Sequence, residues 1–205
     1  MLSSITPLGE RGRASRWSVT VTAHVIGSAA GGAVLGLVLG TLGQLLTLVL
    51  RPVGGPAVLL GAAVVVALAV GTVAAEAGRW RRFPSWHRQV DEDWLHRYRG
   101  WVYGVGYGAQ LGVGVVTIVT SPVLFLAMAF MVATGGPLPG AVLGAVFGTV
   151  RALPLLAARS VTTPARLAGM HRRLERLAPL GRGTTGAWSA LVAAASVALT
   201  VGVVL

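Results

Sequence analysis

Five long apolar runs, almost free of charge, constrain this chain more than any other feature of it. They are Val19 to Leu50, Val53 to Ala77, Trp101 to Thr134, Leu138 to Ala158 and Thr185 to Leu205. A helix needs about 20 apolar residues to cross ~30 Å of hydrocarbon, and each run reaches that length. Backbone polar groups in lipid must be satisfied within the segment, so the helix is the conformation open to such runs. The composition agrees: 54% of the 205 residues are hydrophobic and only 11% charged, unlike an ordinary soluble domain. The expected fold is an all-α integral membrane domain with about five transmembrane helices.

The charges lie between the runs, and their sign sets an orientation. All 17 basic residues are arginine, for a net charge of +11. Arg11, Arg13 and Arg16 precede the first run; Arg79, Arg81, Arg82, Arg88, Arg97 and Arg99 separate the second from the third; Arg159, Arg166, Arg172, Arg173, Arg176 and Arg182 separate the fourth from the fifth. The alternate loops hold only Arg51 and the uncharged turn at Gly135, Gly136 and Pro137. Single crossings put every arginine-rich segment on one side, which the positive-inside rule makes the cytoplasm. A bacterial plasma-membrane protein with a cytoplasmic N-terminus and an outer C-terminus is expected. Charge placed this way points to lipid headgroups and not to nucleic acid. The segments are then a cytoplasmic N-terminus 1–18, a first repeat 19–77, a cytoplasmic loop 78–100, a second repeat 101–159, a cytoplasmic amphipathic helix 160–184 and a last span 185–205.

Two runs are too long for one straight crossing: Val19 to Leu50 and Trp101 to Thr134 would each extend about 50 Å at 1.5 Å per residue. Making hairpins of them would invert the charge pattern, so each is expected to be a broken helix that crosses once. The breaks are placed at Ser121 and Pro122, where proline removes a backbone donor, and near Gly40 to Gly43. The two runs also match each other. Gly32, Ala33, Leu35, Gly36 and Thr41 align at constant offset with Gly108, Ala109, Leu111, Gly112 and Thr117. Farther on, Gly54-Gly55-Pro56 recurs as Gly135-Gly136-Pro137, and Gly71-Thr72-Val73 as Gly148-Thr149-Val150. A twofold internal repeat of long span plus ordinary span explains the pattern; the abundance of Gly and Ala is its rival.

Glycines recur every fourth residue as Gly32, Gly36, Gly40, as Gly104, Gly108, Gly112, and as Gly140, Gly144, Gly148. Each set lines one helix face and allows close backbone approach. Polar residues within the runs are the candidates for chemistry, because burying them in lipid is costly. Glu76 and Arg151 fall at similar depth and suit an intramembrane charge pair. Gln44, Gln110, Thr117, Thr120 and Ser121, with the Pro122 break, suit a substrate path, since discontinuous helices mark binding sites in transporters. His24 reads as a core or interfacial residue.

The loop before the third run interleaves its arginines with Trp80, Phe83, Trp86, Trp94, Tyr98, Trp101 and Tyr103, which reads as an aromatic belt beside anionic lipid. Asp91, Glu92 and Asp93 read as charges at a helix start. From Pro164 to Leu177, behind a Thr163 cap, Leu167, Met170, Leu174 and Leu177 recur at helical spacing among arginines; this is an amphipathic helix for the membrane surface or a partner. Cysteine is absent, which excludes disulfides and thiolate chemistry. Phosphate-loop, zinc-protease and nucleophile-elbow signatures are missing too, and no cofactor or metal is expected.

The stretch Trp101 to Arg159, with Tyr107-Gly108-Ala109-Gln110-Leu111-Gly112, the Thr120-Ser121-Pro122 break and the glycine-rich span after it, resembles the cytochrome c biogenesis, disulfide-transfer (CcdA-like) proteins. It also resembles the wider group of small repeat-built exporters that includes the LysE-like proteins. In disulfide-transfer members a cysteine stands beside the proline at the break; here Ser121 does, so the resemblance implies the architecture without the electron relay. The leading expectation is a transporter-like protein handling a small solute near Gln110 to Pro122. The alternative is a non-catalytic membrane subunit or assembly factor that docks a protein partner, or a second copy, through its arginine-rich helix or glycine stripes.

Overall fold

The computed structural model describes residues 5–13, 15–50, 97–114 and 123–177. Those residues are all helix and turn, with no strand. In chain order they form α1 (Pro7–Gly12), α2 (Trp17–Leu50), α3 (Gly100–Val113), α4 (Val123–Ala133), α5 (Pro137–Ala152), α6 (Pro154–Ala157), a 3-10 turn (Ala158–Ser160) and a last helix α7 over 164–177. Among the described residues two stretches, Trp17–Val49 and Pro137–Ser160, are long and apolar enough to cross a membrane. The second and fifth apolar runs and most of the aromatic loop lie outside the described residues.

The first long run differs from expectation. It is one unbroken helix of 34 residues, passing straight through Gly40 and Gly43. The physical reason is twofold. The run holds no proline, so every i to i−4 bond is available. Its glycines, which cost up to about 1 kcal/mol each in a helix interior, are pressed against neighbouring backbone, and that close packing offsets the cost. The second long run is divided, as α3 and α4, but α3 stops earlier than Pro122 suggests. Gly114 adopts φ 73° and its N–H donates to the Gln110 carbonyl, a left-handed termination that glycine accepts without strain.

The chain forms two compact units. The first contains residues 1–35, 86–118 and 141–177. Here α2 and α3 meet through glycine. A Cβ on Gly27 or Gly31 would run into the backbone of Val105 or Ala109, and one on Gly104, Gly108 or Gly112 into that of Thr20, His24 or Ser28. The matched numbering makes these helices parallel. α5 meets α2 in the opposite sense, with Gly32 against Gly144 and Gly148, and Gly148 against Ser28. The Ser28 hydroxyl donates to the Gly148 carbonyl at 2.7 Å.

The second unit contains residues 36–85, 119–140 and 178–205. Gly40 lies on Gly136 and Gly140, Gly140 lies on Gly36, and Gly43 lies on Val132. Between α4 and α5 the chain turns at Gly135, whose φ of 61° again suits glycine, and Pro137 opens the next helix where no N–H is needed.

Candidate functional site

At one end of the first unit a short N-terminal helix is locked onto the start of α2 and α3. Thr6 caps α1, its Oγ1 accepting from the Gly9 N–H at 3.1 Å, and Pro7 presets the first turn. One turn after Thr6 the helix turns Glu10 inward until it is 0% exposed. A carboxylate there is stable only with partners, and it has three. Arg13 Nη2 donates to Oε1 at 2.7 Å. Thr20 Oγ1 donates to Oε2 at 2.9 Å. The Tyr103 hydroxyl stands 2.7 Å from both carboxylate oxygens. The Arg13 guanidinium also lies over the Tyr103 ring, 5.7 Å from its centroid. Burial acts to lower the Arg13 pKa, but its hydrogen bonds with Glu10 and Tyr103 outweigh that and hold it above the ordinary value.

Apolar packing surrounds the lock. Ile5, Val21, Tyr103, Tyr107 and Leu155 form one buried cluster, with Trp17 and Val25 against it. The Leu8 N–H donates to the Val161 carbonyl at 3.2 Å, which ties the N-terminal segment to the chain just past the 3-10 turn. Gly100 fits under the Thr20 hydroxyl, where a Cβ would stand 2.6 Å from Oγ1. The ends of α1, α2, α3 and α6 therefore meet, and Arg11, Arg16, Arg97, Arg99 and Arg159 are exposed around them. A carboxylate held by three donors acts as a fastener. What it holds in place is a basic surface.

Tyr103 is a correction to the aromatic belt: it is buried and hydrogen-bonded, whereas Tyr98 and Trp101 are exposed. Its position three residues after Gly100 turns it toward α1, away from the face that carries Trp101. Glu10 was overlooked in the sequence because it sits in a polar, arginine-rich segment. The available signal was its spacing, four residues after a Thr-Pro helix start.

Of the substrate-path candidates, Gln44 is exposed on α2 and Gln110 is half-buried on α3, in different units. Thr117, Thr120, Ser121 and Pro122 lie outside the described residues. So does Glu76, the expected partner of Arg151. Arg151 lies over the Phe147 ring, 5.4 Å from its centroid, and its Nη1 is buried without a hydrogen bond. His24 is buried between α2 and α3, with Nδ1 unpartnered. Among the described residues no group of His, Asp and Glu could hold a metal ion.

The chain is similar to methylamine utilization proteins. It is 32% identical over 157 residues to the methylamine utilization protein MauF of Methylophilus methylotrophus, covering 75% of this chain and 53% of that protein. For the MauF protein of Methylobacillus flagellatus the identity is 33% over 182 residues, covering 84% and 61%. For that of Paracoccus versutus it is 33% over 157 residues, covering 75% and 55%. The chain thus spans a little over half the length of the curated relatives it matches. No family model and no solved structure matches the chain. The methylamine utilization relatives overturn the transporter expectation. One architecture serves unrelated functions, so polar residues beside a helix break do not by themselves specify passage of a solute.

Proposed function

We propose that this chain is a non-catalytic membrane subunit or assembly factor serving a partner protein in methylamine utilization. The similarity to the methylamine utilization relatives, which extends over 75–84% of the chain, carries the reading. The fold supports it. Most of the outward surface of α2 is apolar, which suits lipid, while the locked end of the first unit offers exposed arginines to a partner. In this proposal the chain crosses the plasma membrane about five times with its arginine-rich segments in the cytoplasm. The two-repeat, broken-helix plan implied by the disulfide-transfer resemblance belongs to the proposal too, with the break beginning at Gly114. The partner to test first is the enzyme that oxidises methylamine.

Deleting the gene in its own host tests the reading. Growth on methylamine and methylamine-oxidising activity in extracts should be lost, while growth on another carbon source and uptake of labelled methylamine persist. A tagged copy should restore activity and co-purify the enzyme or its precursor. Full enzyme activity in the deletion strain would refute the proposal.

A further inference from the structure

We propose that α7 is an in-plane anchor that binds an anionic lipid surface; this rests on the membrane-spanning reading above. The helix is capped by Thr163, whose Oγ1 accepts from the Arg166 N–H at 3.3 Å. Its start is pinned by Arg166 Nη1, which donates to the Ser160 carbonyl at 3.1 Å and to Thr162 Oγ1 at 3.3 Å. Only residues 161–163 separate it from the candidate span Pro137–Ser160. Three residues reach at most about 10 Å, comparable with the ~5–8 Å depth of the headgroup zone on each side, so α7 begins at the membrane surface.

The helix surface fits that zone. At 3.6 residues per turn, Leu167, Met170, Leu174 and Leu177 fall within an arc of roughly 80°. The C-terminal half of this strip is open: Leu174 is 45% and Leu177 55% exposed, while Leu167 and Met170 are half-buried. Arg173 borders the strip, where its stem can lie along lipid while its charge reaches phosphate. Arg172 and Arg176 project from the rest of the helix, against a single acid, Glu175. An apolar strip flanked by arginine at headgroup depth is complementary to a negatively charged leaflet.

Because the chain lacks cysteine, one introduced cysteine can carry a nitroxide whose exposure to oxygen and to a water-soluble nickel chelate reports depth. We would label Leu174→Cys, Arg172→Cys and Leu37→Cys in the whole protein, in nanodiscs of phosphatidylcholine with or without phosphatidylglycerol. With phosphatidylglycerol, the Leu174 label should be open to oxygen and shielded from nickel, and the Arg172 label open to nickel. Without it, Leu174 shielding should fall severalfold, since each arginine near an anionic surface is worth roughly a factor of five. Nickel access at Leu174 in both lipids, with Leu37 still shielded, would overturn the anchor and leave the spanning reading intact. Shielding of Leu174 from both probes would mean that protein covers it, and would overturn the anchor in favour of a protein occupant. Nickel access at Leu37 would overturn the spanning reading and the anchor together.

Discussion

Removing one hydroxyl from the N-terminal lock has a calculable effect. Tyr103→Phe keeps the ring in the buried cluster and deletes one of three side-chain donors to a fully buried carboxylate. A hydrogen bond to a charged group is worth about 1.5–3 kcal/mol. That energy is lost from the seating of α1 more than from global stability, because Glu10 touches the rest of the unit through this network. Trypsin reads seating directly. Cleavage after Arg13 requires its guanidinium to leave Glu10, and cleavage from a transiently open state follows the population of that state. Tyr103→Phe should therefore accelerate cleavage after Arg13 roughly ten- to a hundredfold. Cleavage at the exposed Arg172 and Arg173 should not change and serves as the internal control. Glu10→Ala strands the buried donors and should do more, about 3–5 kcal/mol by the behaviour of broken buried pairs. Adding Tyr103→Phe to Glu10→Ala should then have little further effect. Equal cleavage rates for wild type and Tyr103→Phe would show that the hydroxyl does not hold the segment, and the fastener account would fail.

Glycine substitutions should divide by contact. Gly148→Ala drives a methyl into the Ser28 carbonyl and should cost about 1–3 kcal/mol or prevent folding, seen as a lower unfolding temperature in detergent; Gly169→Ala meets nothing and should gain about 0.5–1 kcal/mol from helix propensity. Ser28→Ala deletes the bond to the Gly148 carbonyl and should lower stability by about 0.6 kcal/mol, the usual value between membrane helices, measured by the same melt. Thr6→Ala removes the α1 cap and should cost about 1 kcal/mol, read as faster trypsin cleavage after Arg13 with an unchanged melt of the rest.

The legible and illegible parts of this chain separate by the range of the forces involved. Helix and its spacing are local properties: the apolar runs, the Thr163-Pro164 start of α7 and the four-residue glycine stripes could all be written down from neighbours in sequence. The continuity of α2 through Gly40 and Gly43 could not, because it depends on which backbones press against those glycines from residues about a hundred positions away. The end of α3 at Gly114 was hidden for a different reason. Proline announces a break through its own missing donor, whereas the 29 glycines give no sign of which one turns left-handed. Glu10 was illegible because its role exists only once Tyr103 arrives. Function was least legible of all: a polar helix break put passage of a solute first, and the methylamine utilization relatives favour instead the alternative that the sequence also offered, a subunit or assembly factor that docks a partner protein.

The Glu10 to Tyr103 bond joins residues 93 positions apart, and this separation has a consequence for biogenesis. A ribosome adds about 5–20 residues per second, so Glu10 waits on the order of 5–20 s before its partner hydroxyl has been made. Throughout that interval the N-terminal segment lacks the hydroxyl that completes the burial of its carboxylate, while α2 has already been made. Closure of α1 onto the bundle is thus a late step, and it doubles as a checkpoint: the segment can seat only in a chain whose α3 has been made and packed parallel to α2.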